Sequence, residues 1–291
     1  MSTKYLYGNG YPFLDPLPKN IDKQLERIEN KKASCIIIDG AVGCGKTTLA
    51  VEIAEYINKK KGKGNLSLQI KKHPQISLGG KEFTGCFREV IKQNLPVIIY
   101  DEAGDFNRRG AISSFNQTIN RLFETYRGFK VLVIICLPNF TSLDSYFFNN
   151  KIPRLLIHIT DRGKEYGEYK VYSLYGMNWI RHWYDKLPLG LKNRVYSQTT
   201  PNFYGKFKNL TPDRDRELDI LSTHGKKEFL NQSEKKLKNI LSYSEIAEKI
   251  NRSVVWVRKT LKDLKIKHKT IIEQKKYFDV GVVDTLLEEF K

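Results

Sequence analysis

"CIIIDGAVGCGKTTLA", residues 35–50, places an apolar run, a glycine-rich loop and the start of a helical pattern directly after one another. The run Cys35–Ile38 predicts a buried parallel strand, and the apolar residues after Thr47 recur at helical spacing. The loop Gly40–Thr47 fits G-x-x-x-x-G-K-[ST] at every constrained position, and the flanking strand and helix are the context that this pattern requires. The stretch therefore predicts a phosphate-binding loop in an α/β domain.

The chemistry of such a loop depends on its backbone. Glycines let the loop turn its N–H groups onto phosphate oxygens, and the N-terminus of the following helix adds the positive end of its dipole. We expect Lys46 to reach the β- and γ-phosphates and the Thr47 hydroxyl to ligate Mg²⁺, so the predicted ligands are ATP and Mg²⁺. The residues predicted to bind the nucleotide are Gly40, Ala41, Val42, Gly43, Cys44, Gly45, Lys46, Thr47 and Thr48.

A second chemical signal follows the apolar run Pro96–Tyr100, which ends in Asp101-Glu102. Asp101 is predicted to hold Mg²⁺, directly or through water, and Glu102 to orient and deprotonate the attacking water. An apolar run that ends in two acids is a weak signal alone, but it is strong in a chain that also has the phosphate loop. A glutamate directly after the aspartate favours hydrolysis over transfer to an acceptor.

A third apolar run, Val131–Cys136, predicts another buried strand, with Arg127 before it and Asn139 after it. Asn139 could sense the γ-phosphate, or it could simply start a turn. Arg127 could reach across a subunit boundary into a neighbour's site, or it could be a solvated surface cation. Arg108 and Arg109 could contact DNA phosphates, the nucleotide or only solvent.

The rest of the first domain is predicted from periodicity and turn residues. The tyrosines near its end could stack on bases, but cross-strand packing is the simpler role. The predicted elements are helices over Asn20–Lys31, Phe83–Gln93 and Ile112–Tyr126, a strand over Leu66–Ile70, and an antiparallel hairpin whose strands begin near Arg154 and Tyr169 and extend the sheet.

Composition points to a polyanionic partner. The chain of 291 residues carries a formal net charge of +18, which favours nucleic acid or an anionic membrane surface, unless it reflects a basic proteome. The N-terminus lacks the apolar core of a signal peptide, and the longest apolar run is too short to span a bilayer. The four cysteines are scattered and show no zinc spacing. These features predict a cytoplasmic protein with reduced thiols and no membrane span.

The end of the chain has a different pattern. Residues 188–232 are irregular and predict a linker that contains at most one short helix. From residue 233 the pattern predicts helices over Glu234–Leu241, Ser242–Ile250 and Val254–Leu264, the second of them opened by a capping box. Two strand-like runs, Thr270–Glu273 and Tyr277–Val280, follow. This arrangement resembles a winged helix-turn-helix.

Charge favours DNA as the partner of this module. Between Lys249 and Lys276 there are ten Lys/Arg against Asp263 and Glu273. A helical protein-interaction module with a solvated basic face is the alternative. If the last helix enters the major groove, its outer face and the tip of the wing approach DNA. The residues predicted to contact DNA are Arg252, Trp256, Lys259 and Lys262, with Lys275 and Lys276 at the wing tip.

Residues 33–175 resemble the Zot-like and FtsK/HerA-like branch of P-loop ATPases. The resemblance implies a fold of the additional-strand catalytic-glutamate class, in which the third strand separates the phosphate-loop strand from the strand that ends in Asp101. It also implies a hexameric ring that moves DNA, with Arg127 as an arginine finger supplied to a neighbour. The features that carry the resemblance are the phosphate loop, Asp101-Glu102 followed by "AGDF", Arg127, Pro138, Asp144 and Arg154.

The chain departs from this branch at two points. The branch places a glutamine at the end of the third strand, where this chain has Cys136 followed by Leu-Pro-Asn. Zot-like proteins of filamentous phages also continue into a membrane span, and no such span is predicted for this chain. The sensor residue therefore stays open, with Asn139 as the nearest polar candidate.

Together these observations predict an α/β protein. Its first domain is a RecA-like P-loop NTPase domain (residues 1–187) with a mostly parallel sheet and an antiparallel edge hairpin. A linker (188–232) and a small winged-helix domain (233–291) follow. The predicted function is a DNA-dependent ATPase, an oligomeric motor that translocates or packages plasmid or viral DNA. The alternatives are an AAA+-like replication initiator or transposition regulator, and an ATP-controlled DNA-binding switch that does not move processively.

Overall fold

A computed structural model describes residues 16–70, 72–101, 127–143, 145–163, 166–238, 240–272 and 275–289. The chain divides into two compact units between Gly225 and Lys226. Glu102, Arg108, Arg109, Asp144 and the predicted helix Ile112–Tyr126 lie outside the described residues. No helix in the described ranges is both long and apolar enough to cross a bilayer.

The first unit is built on a seven-stranded sheet with helices on its two faces. Its strands are β1 (Cys35–Asp39), β2 (Ile76–Ser77), β3 (Val97–Asp101), β4 (Leu132–Leu137), β5 (Pro153–Arg162), β6 (Tyr166–Ser173) and β7 (Phe203–Lys208). Its helices are α1 (Pro16–Glu29), α2 (Lys46–Lys60), α3 (Gly80–Lys92), α4 (Ser145–Asn149) and α5 (Leu174–Lys186), with 3-10 segments at Arg127–Phe129, Phe140–Ser142 and Leu189–Ser197. Helix α6 (Pro212–Lys238) begins in this unit and continues past Gly225.

The sheet has the strand order β2-β3-β4-β1-β5-β6-β7. The strands from β2 to β5 pair in parallel, whereas β6 and β7 are antiparallel to their neighbours. The predicted mostly parallel sheet is confirmed, and so is the prediction that the third strand, β4, separates β1 from β3. This order brings the carboxyl ends of β1, β3 and β4 to one edge, where ligands of open α/β sheets bind.

The sheet is covered on both faces, as its continuous apolar strands require. In β1, Ile36 and Ile38 belong to one hydrophobic cluster and Cys35 and Ile37 to the other. Helices α1 and α2 contribute to the first cluster, and α3 and α5 contribute to the second. All five residues of β1 are buried, so the strand that leads into the phosphate loop has no solvent-exposed side.

The helix predicted over Asn20–Lys31 is α1, which spans Pro16–Glu29. Its apolar residues Leu17, Ile21, Leu25 and Ile28 recur at helical spacing and are at most 4% exposed. The helix is therefore amphipathic and belongs to the core.

The predicted strand over Leu66–Ile70 is wrong. Leu66 and Leu68 are buried in the core, yet the segment carries only an isolated bridge between Gln69 and Lys72. The strand of this region is β2, which pairs in parallel with β3. An alternating pattern reports which side chains are buried, and it does not show that the backbone has a pairing partner.

The predicted hairpin is confirmed as β5 and β6, which are antiparallel. The following residues do not form a linker. Strand β7 continues the sheet beside β6, with Gly205 opposite Tyr169 and Gly167 opposite Phe207. A Cβ at Gly205 would lie 2.2 Å from the Tyr169 ring, so each glycine makes room for an aromatic ring on the neighbouring strand. Tyr169 and Tyr172 are buried, so these two tyrosines pack in the core, as predicted, and are not available to stack on bases.

The start of α6 is also tied to the first unit. Arg214 forms ion pairs with Glu55 of α2 and with Glu217. It also donates a hydrogen bond to the carbonyl oxygen of Leu66 at 2.8 Å. The region predicted as a linker therefore contributes a strand, a 3-10 segment and most of a helix. Two partners of Arg214, Glu55 and Leu66, lie 159 and 148 residues earlier in the chain, so the sequence around Arg214 gives no sign of them.

Helix α2 carries a half-buried acid, Glu52, whose charge is unfavourable. Burial raises the pKa of Glu52 to about 7, and the nearby Glu55 adds to the shift. The folded chain therefore holds a proton that the unfolded chain releases near pH 4.5, so stability is lost as the pH rises toward 7.

We expect Glu52→Gln to raise the free energy of unfolding by about 2 kcal/mol at pH 8 and by much less at pH 5, because the amide needs no proton. Urea denaturation at the two pH values measures this. Glu55→Gln is the matched control, and it should lower stability because it removes the partner of Arg214. An equal gain from Glu52→Gln at both pH values would contradict the assignment.

The second unit contains a three-stranded antiparallel sheet of order β8-β10-β9 with helices around it. The helix predicted over Glu234–Leu241 is confirmed as far as Lys238, but it is the end of α6 and not a separate helix, and a strand begins at Ile240. The capping box at Ser242 and Glu245 is confirmed. The elements are β8 (Ile240–Ser242), α7 (Tyr243–Lys249), α8 (Val254–Asp263), β9 (Thr270–Ile272), β10 (Lys275–Asp279) and α9 (Val282–Glu289).

The core of the second unit contains apolar residues of helices α7 and α8. Ile246, Ala247, Val257 and Leu261 are buried, and Ile250 and Leu264 pack against them from half-buried positions. Phe278 of β10 lies in the same cluster, so the sheet covers the two helices.

Candidate nucleotide site

The phosphate loop begins at the end of β1 and leads directly into α2. Gly40, Gly43 and Gly45 have φ angles of 145°, 80° and 91°, a region that side chains with a Cβ rarely adopt. A Cβ at Gly40 would also lie 2.8 Å from the carbonyl oxygen of Ile159 in β5. The loop therefore needs glycine both for its turns and for its close approach to the neighbouring strand.

Lys46 is the first residue of α2, and its ammonium group lies against the loop. Nζ donates to the carbonyl oxygens of Gly40 at 2.9 Å and Ala41 at 2.7 Å. Val42, at the outer turn of the loop, is 92% exposed. A cation held over the loop and the N-terminus of a helix beneath it form an anion-binding arrangement.

Thr47 and Asp101 were predicted as metal ligands, and the structure brings them together. Thr47 Oγ1 donates a 2.8 Å hydrogen bond to Asp101 Oδ2, although 54 residues separate them. A hydroxyl and a carboxylate are hard oxygen donors, which fits Mg²⁺. The described residues contain no cluster of three or more His, Cys, Asp or Glu that could hold a metal. Such a sparse set suits an ion that keeps several of its waters and takes the rest of its ligands from phosphates.

Two other residues of the loop have their side chains turned inward. Thr48 is 2% exposed and Cys44 is buried. Burial raises the pKa of the Cys44 thiol, although Lys46 opposes the shift. Their side chains therefore pack beneath the loop, so any contact of these two positions with a phosphate falls to their backbone N–H groups.

Arg127 lies in the 3-10 segment Arg127–Phe129, at the amino end of β4. The phosphate loop lies at the carboxyl end of the neighbouring β1, which pairs in parallel with β4. The six residues of β4 span about 20 Å at 3.3 Å per residue. This separation is too long for an arginine side chain to bridge within one chain.

Asn139 follows β4 and caps the 3-10 turn Phe140–Ser142. Its Oδ1 accepts hydrogen bonds from Thr141 N at 3.0 Å and Thr141 Oγ1 at 2.9 Å. The turn-forming role is therefore present. The sensor role stays a prediction.

A buried cluster beside the loop was missed. Asp39, the last residue of β1, is fully buried and lies within 2.8 Å of His158 Nδ1. Its other oxygen accepts from Phe140 N at 3.2 Å and from the Tyr196 hydroxyl. Burial, and then Asp39, raise the pKa of Tyr196 well above its usual value. The one signal in the sequence is an acid inside an apolar strand, and nothing near Asp39 in the chain indicates its partners.

The second unit has a groove of about 1020 Å³ beside α7, α8 and β10. Two of the predicted DNA contacts, Lys262 and Lys276, line it together with Arg258 and His268. Lys276 lies in strand β10 and is exposed, whereas Arg258 lies over the Tyr243 ring at 5.2 Å. The groove therefore brings together the side chains of two lysines, one arginine and one histidine with several hydroxyl groups and one carboxylate, that of Glu245.

Arg252, Trp256 and Lys259, which were also predicted to contact DNA, do not line this groove. Arg252 lies over the half-buried Trp256 ring at 5.6 Å. Trp256 and Arg258 are two residues apart in α8, so they point to well-separated sides of the helix. Lys259 is exposed on α8. Lys275 is the first residue of β10 and pairs with Ile272, the last residue of β9, and its DNA contact stays a prediction.

Residues 36–147 match the ATPase family associated with various cellular activities (AAA). The match covers the phosphate loop, Asp101 and Asn139, and it supports a P-loop ATPase domain that hydrolyses ATP. It ends within α4, well before the second unit begins. No curated protein matches the chain.

Among solved structures, the chain is similar to a KaiC-like protein from the hyperthermophilic archaeon Pyrococcus horikoshii. The identity is 16%, the overlap covers 48% of this chain and 77% of that chain, and the TM-score is 0.33. It is also similar to the flagellar accessory protein FlaH from Methanocaldococcus jannaschii. There the identity is 16%, the coverage is 56% of this chain and 87% of that chain, and the TM-score is 0.26.

Proposed function

We propose that this chain is a DNA-dependent ATPase that assembles into an oligomeric motor for translocating or packaging plasmid or viral DNA. The observation that carries the ATPase part is the hydrogen bond between Thr47 and Asp101 beside Lys46. These are the side chains that a nucleoside triphosphate with its magnesium ion requires, and they meet at the carboxyl edge of a parallel sheet.

The chain's residues divide the work of hydrolysis. The Lys46 ammonium group exchanges its hydrogen bonds to the loop carbonyls for contacts with the β- and γ-phosphates and neutralises their charge. Thr47 and Asp101 hold Mg²⁺, which when bound neutralises the phosphate oxygens and orients them. Glu102 takes the proton of the attacking water.

The site needs a second subunit in this proposal. Arg127 lies at the opposite end of β4 from the loop of its own chain, so a role in the transition state requires it to enter a neighbour's site. An arginine supplied in this way stabilises the charge that develops on the transferred phosphoryl group. Oligomerisation, as a hexameric ring in the favoured version, is therefore part of the mechanism.

The DNA part rests on the second unit. Helices α7 and α8, the antiparallel sheet and the groove beside them suit a winged helix that binds duplex phosphates through Arg258, Lys262 and Lys276. A surplus of positive charge attracts DNA without regard to sequence. The net charge of +18 for the whole chain agrees with this role.

A second candidate function is an AAA+-type replication initiator or transposition regulator, and the family match over residues 36–147 favours it. Such proteins carry a helical lid after the core. This chain continues instead with β6, α5 and β7, and that continuation favours the motor. An ATP-controlled DNA-binding switch is distinguished by slow turnover that is unaffected when one end of the duplex is blocked.

The test is ATP hydrolysis with and without duplex DNA, for wild type, Glu102→Gln, Arg127→Ala and an equimolar mixture of the two variants. We expect DNA to stimulate the wild type, each variant to lose at least about a hundredfold in kcat, and the mixture to recover part of the rate. Recovery is expected because a mixed assembly contains interfaces with an intact Glu102 facing an intact Arg127. Hydrolysis that ignores both DNA and the Arg127 substitution would contradict the motor.

A further inference from the structure

The Asp39 cluster, defined as Asp39, His158 and Tyr196, lies directly beneath the phosphate loop. A carboxylate can only accept hydrogen bonds, so His158 must carry its proton on Nδ1, and the Tyr196 hydroxyl must donate. With Phe140 N as the third donor, the buried charge of Asp39 is satisfied by three different parts of the chain. Such a buried group is costly to disturb.

The ring of Tyr196 fixes the orientation of His158. The two rings are stacked, with centroids 3.6 Å apart and planes 10° from parallel. Tyr196 is held in turn by the Tyr172 hydroxyl, which donates to its carbonyl oxygen at 3.2 Å. The side chain that donates to Asp39 is therefore positioned by the 3-10 segment Leu189–Ser197.

The cluster touches the loop through consecutive residues on both strands. Asp39 is followed by Gly40, whose carbonyl oxygen accepts from Lys46 Nζ. His158 is followed by Ile159, whose carbonyl oxygen closes the space beside the Gly40 Cα. A change in the pairing of Asp39 with His158 would therefore move the first residue of the loop.

The cluster also reaches the turn after β4. Asp39 accepts from Phe140 N, and the preceding Asn139 is the candidate sensor of the γ-phosphate. One carboxylate thus ties the start of the phosphate loop to the turn that carries this asparagine.

We propose that Asp39, His158 and Tyr196 are positioning residues that set the phosphate loop and the Asn139 turn for ATP binding and hydrolysis. The inference rests on the proposed ATPase function. The three residues act through Gly40 and Phe140 and not through contact with the reacting atoms. Because errors of about 1 Å in a site can cost about a hundredfold in rate, a buried anchor of this kind has a measurable effect.

The test uses the full chain and two matched pairs of variants. His158→Asn keeps an N–H donor near the position of Nδ1, whereas His158→Leu removes it. Tyr196→Phe keeps the ring stack and removes the hydroxyl, whereas Tyr196→Leu removes both. We expect His158→Leu to raise the Kd for a fluorescent ATP analogue about tenfold and to lower kcat about tenfold. For His158→Asn, both the Kd and kcat should stay within about threefold of the wild-type values. Tyr196→Phe should fall between wild type and Tyr196→Leu.

A control separates positioning from folding. Leu25→Ala in α1 also removes a buried contact of the first unit, and it should lower the melting temperature while leaving Kd and kcat unchanged. All assays are run at least 15 °C below each variant's melting temperature. If wild type binds the analogue and His158→Leu binds it equally well, the cluster is structural only and the inference is overturned. Wild type that binds but does not hydrolyse ATP would contradict the proposed function, while the Kd comparison would still decide the inference.

Discussion

Replacing Lys46 with alanine is expected to lower kcat/KM for ATP hydrolysis by at least about a thousandfold, which corresponds to about 4 kcal/mol of transition-state stabilisation. The ammonium group already lies at the mouth of the loop, where it donates to the carbonyl oxygens of Gly40 and Ala41. Its removal leaves these carbonyls facing the phosphates without a counter-charge, so both binding and charge neutralisation fail.

The matched control is Lys23→Ala, which removes one exposed lysine from α1 and should leave the rate unchanged. Thr47→Ser and Thr47→Val extend the comparison, because serine keeps the hydroxyl that bonds to Asp101 and valine does not. Steady-state phosphate release measures all four variants. A Lys46→Ala enzyme within about tenfold of wild type would show that the loop does not hold the substrate.

The second large effect concerns DNA. Substituting Arg258, Lys262 and Lys276 together with alanine is expected to weaken binding to duplex DNA about a hundredfold at 0.1 M salt. The slope of log K against log salt should become shallower by about 2.7, because each phosphate contact that is lost leaves about 0.9 of a counterion unreleased. Fluorescence anisotropy over a range of salt concentrations measures both quantities.

A control of equal charge distinguishes the groove from the general positive charge of the chain. Lys23, Lys92 and Lys186 are exposed in the first unit, and their replacement by alanine removes the same three charges. We expect this control to change affinity less than about threefold. Equal losses from the two triple variants would mean that the chain attracts DNA through its net charge and that the groove has no special role.

The part of the fold that sequence could predict is the part encoded by local pattern. A buried strand, a glycine loop and a helix are consecutive in the chain, and they recur in the structure with boundaries shifted by a few residues at most. Strand β7 and helix α6 could not be found in this way. The sequence of β7 is short and contains Gly205, which weakens a strand on its own. Glycine is suited to this position because the ring of Tyr169, on the neighbouring strand, occupies the space that a Cβ at Gly205 would need.

The residues of the candidate site likewise include some that a local motif predicts and others that only the fold brings together. Thr47 and Asp101 were predictable because each belongs to a motif with a known chemical role, and the parallel order of β1, β4 and β3 then brings them together. The Asp39 cluster has no motif. His158 is 119 residues from Asp39 and Tyr196 is 157 residues away, so only the pairing of β5 with β1 and the return of the chain after α5 create it.

The two ends of the seven-stranded sheet limit how copies of this chain can join. Strand β2 has only two residues, and β7 carries Lys206 and Lys208 along its length. A very short edge and a charged edge are poor templates for pairing with another sheet, and both are common protections against aggregation. The proposed ring of subunits would therefore form through helices and loops rather than by extending the sheet. Its subunits could then rotate against one another without breaking a continuous ladder of backbone hydrogen bonds.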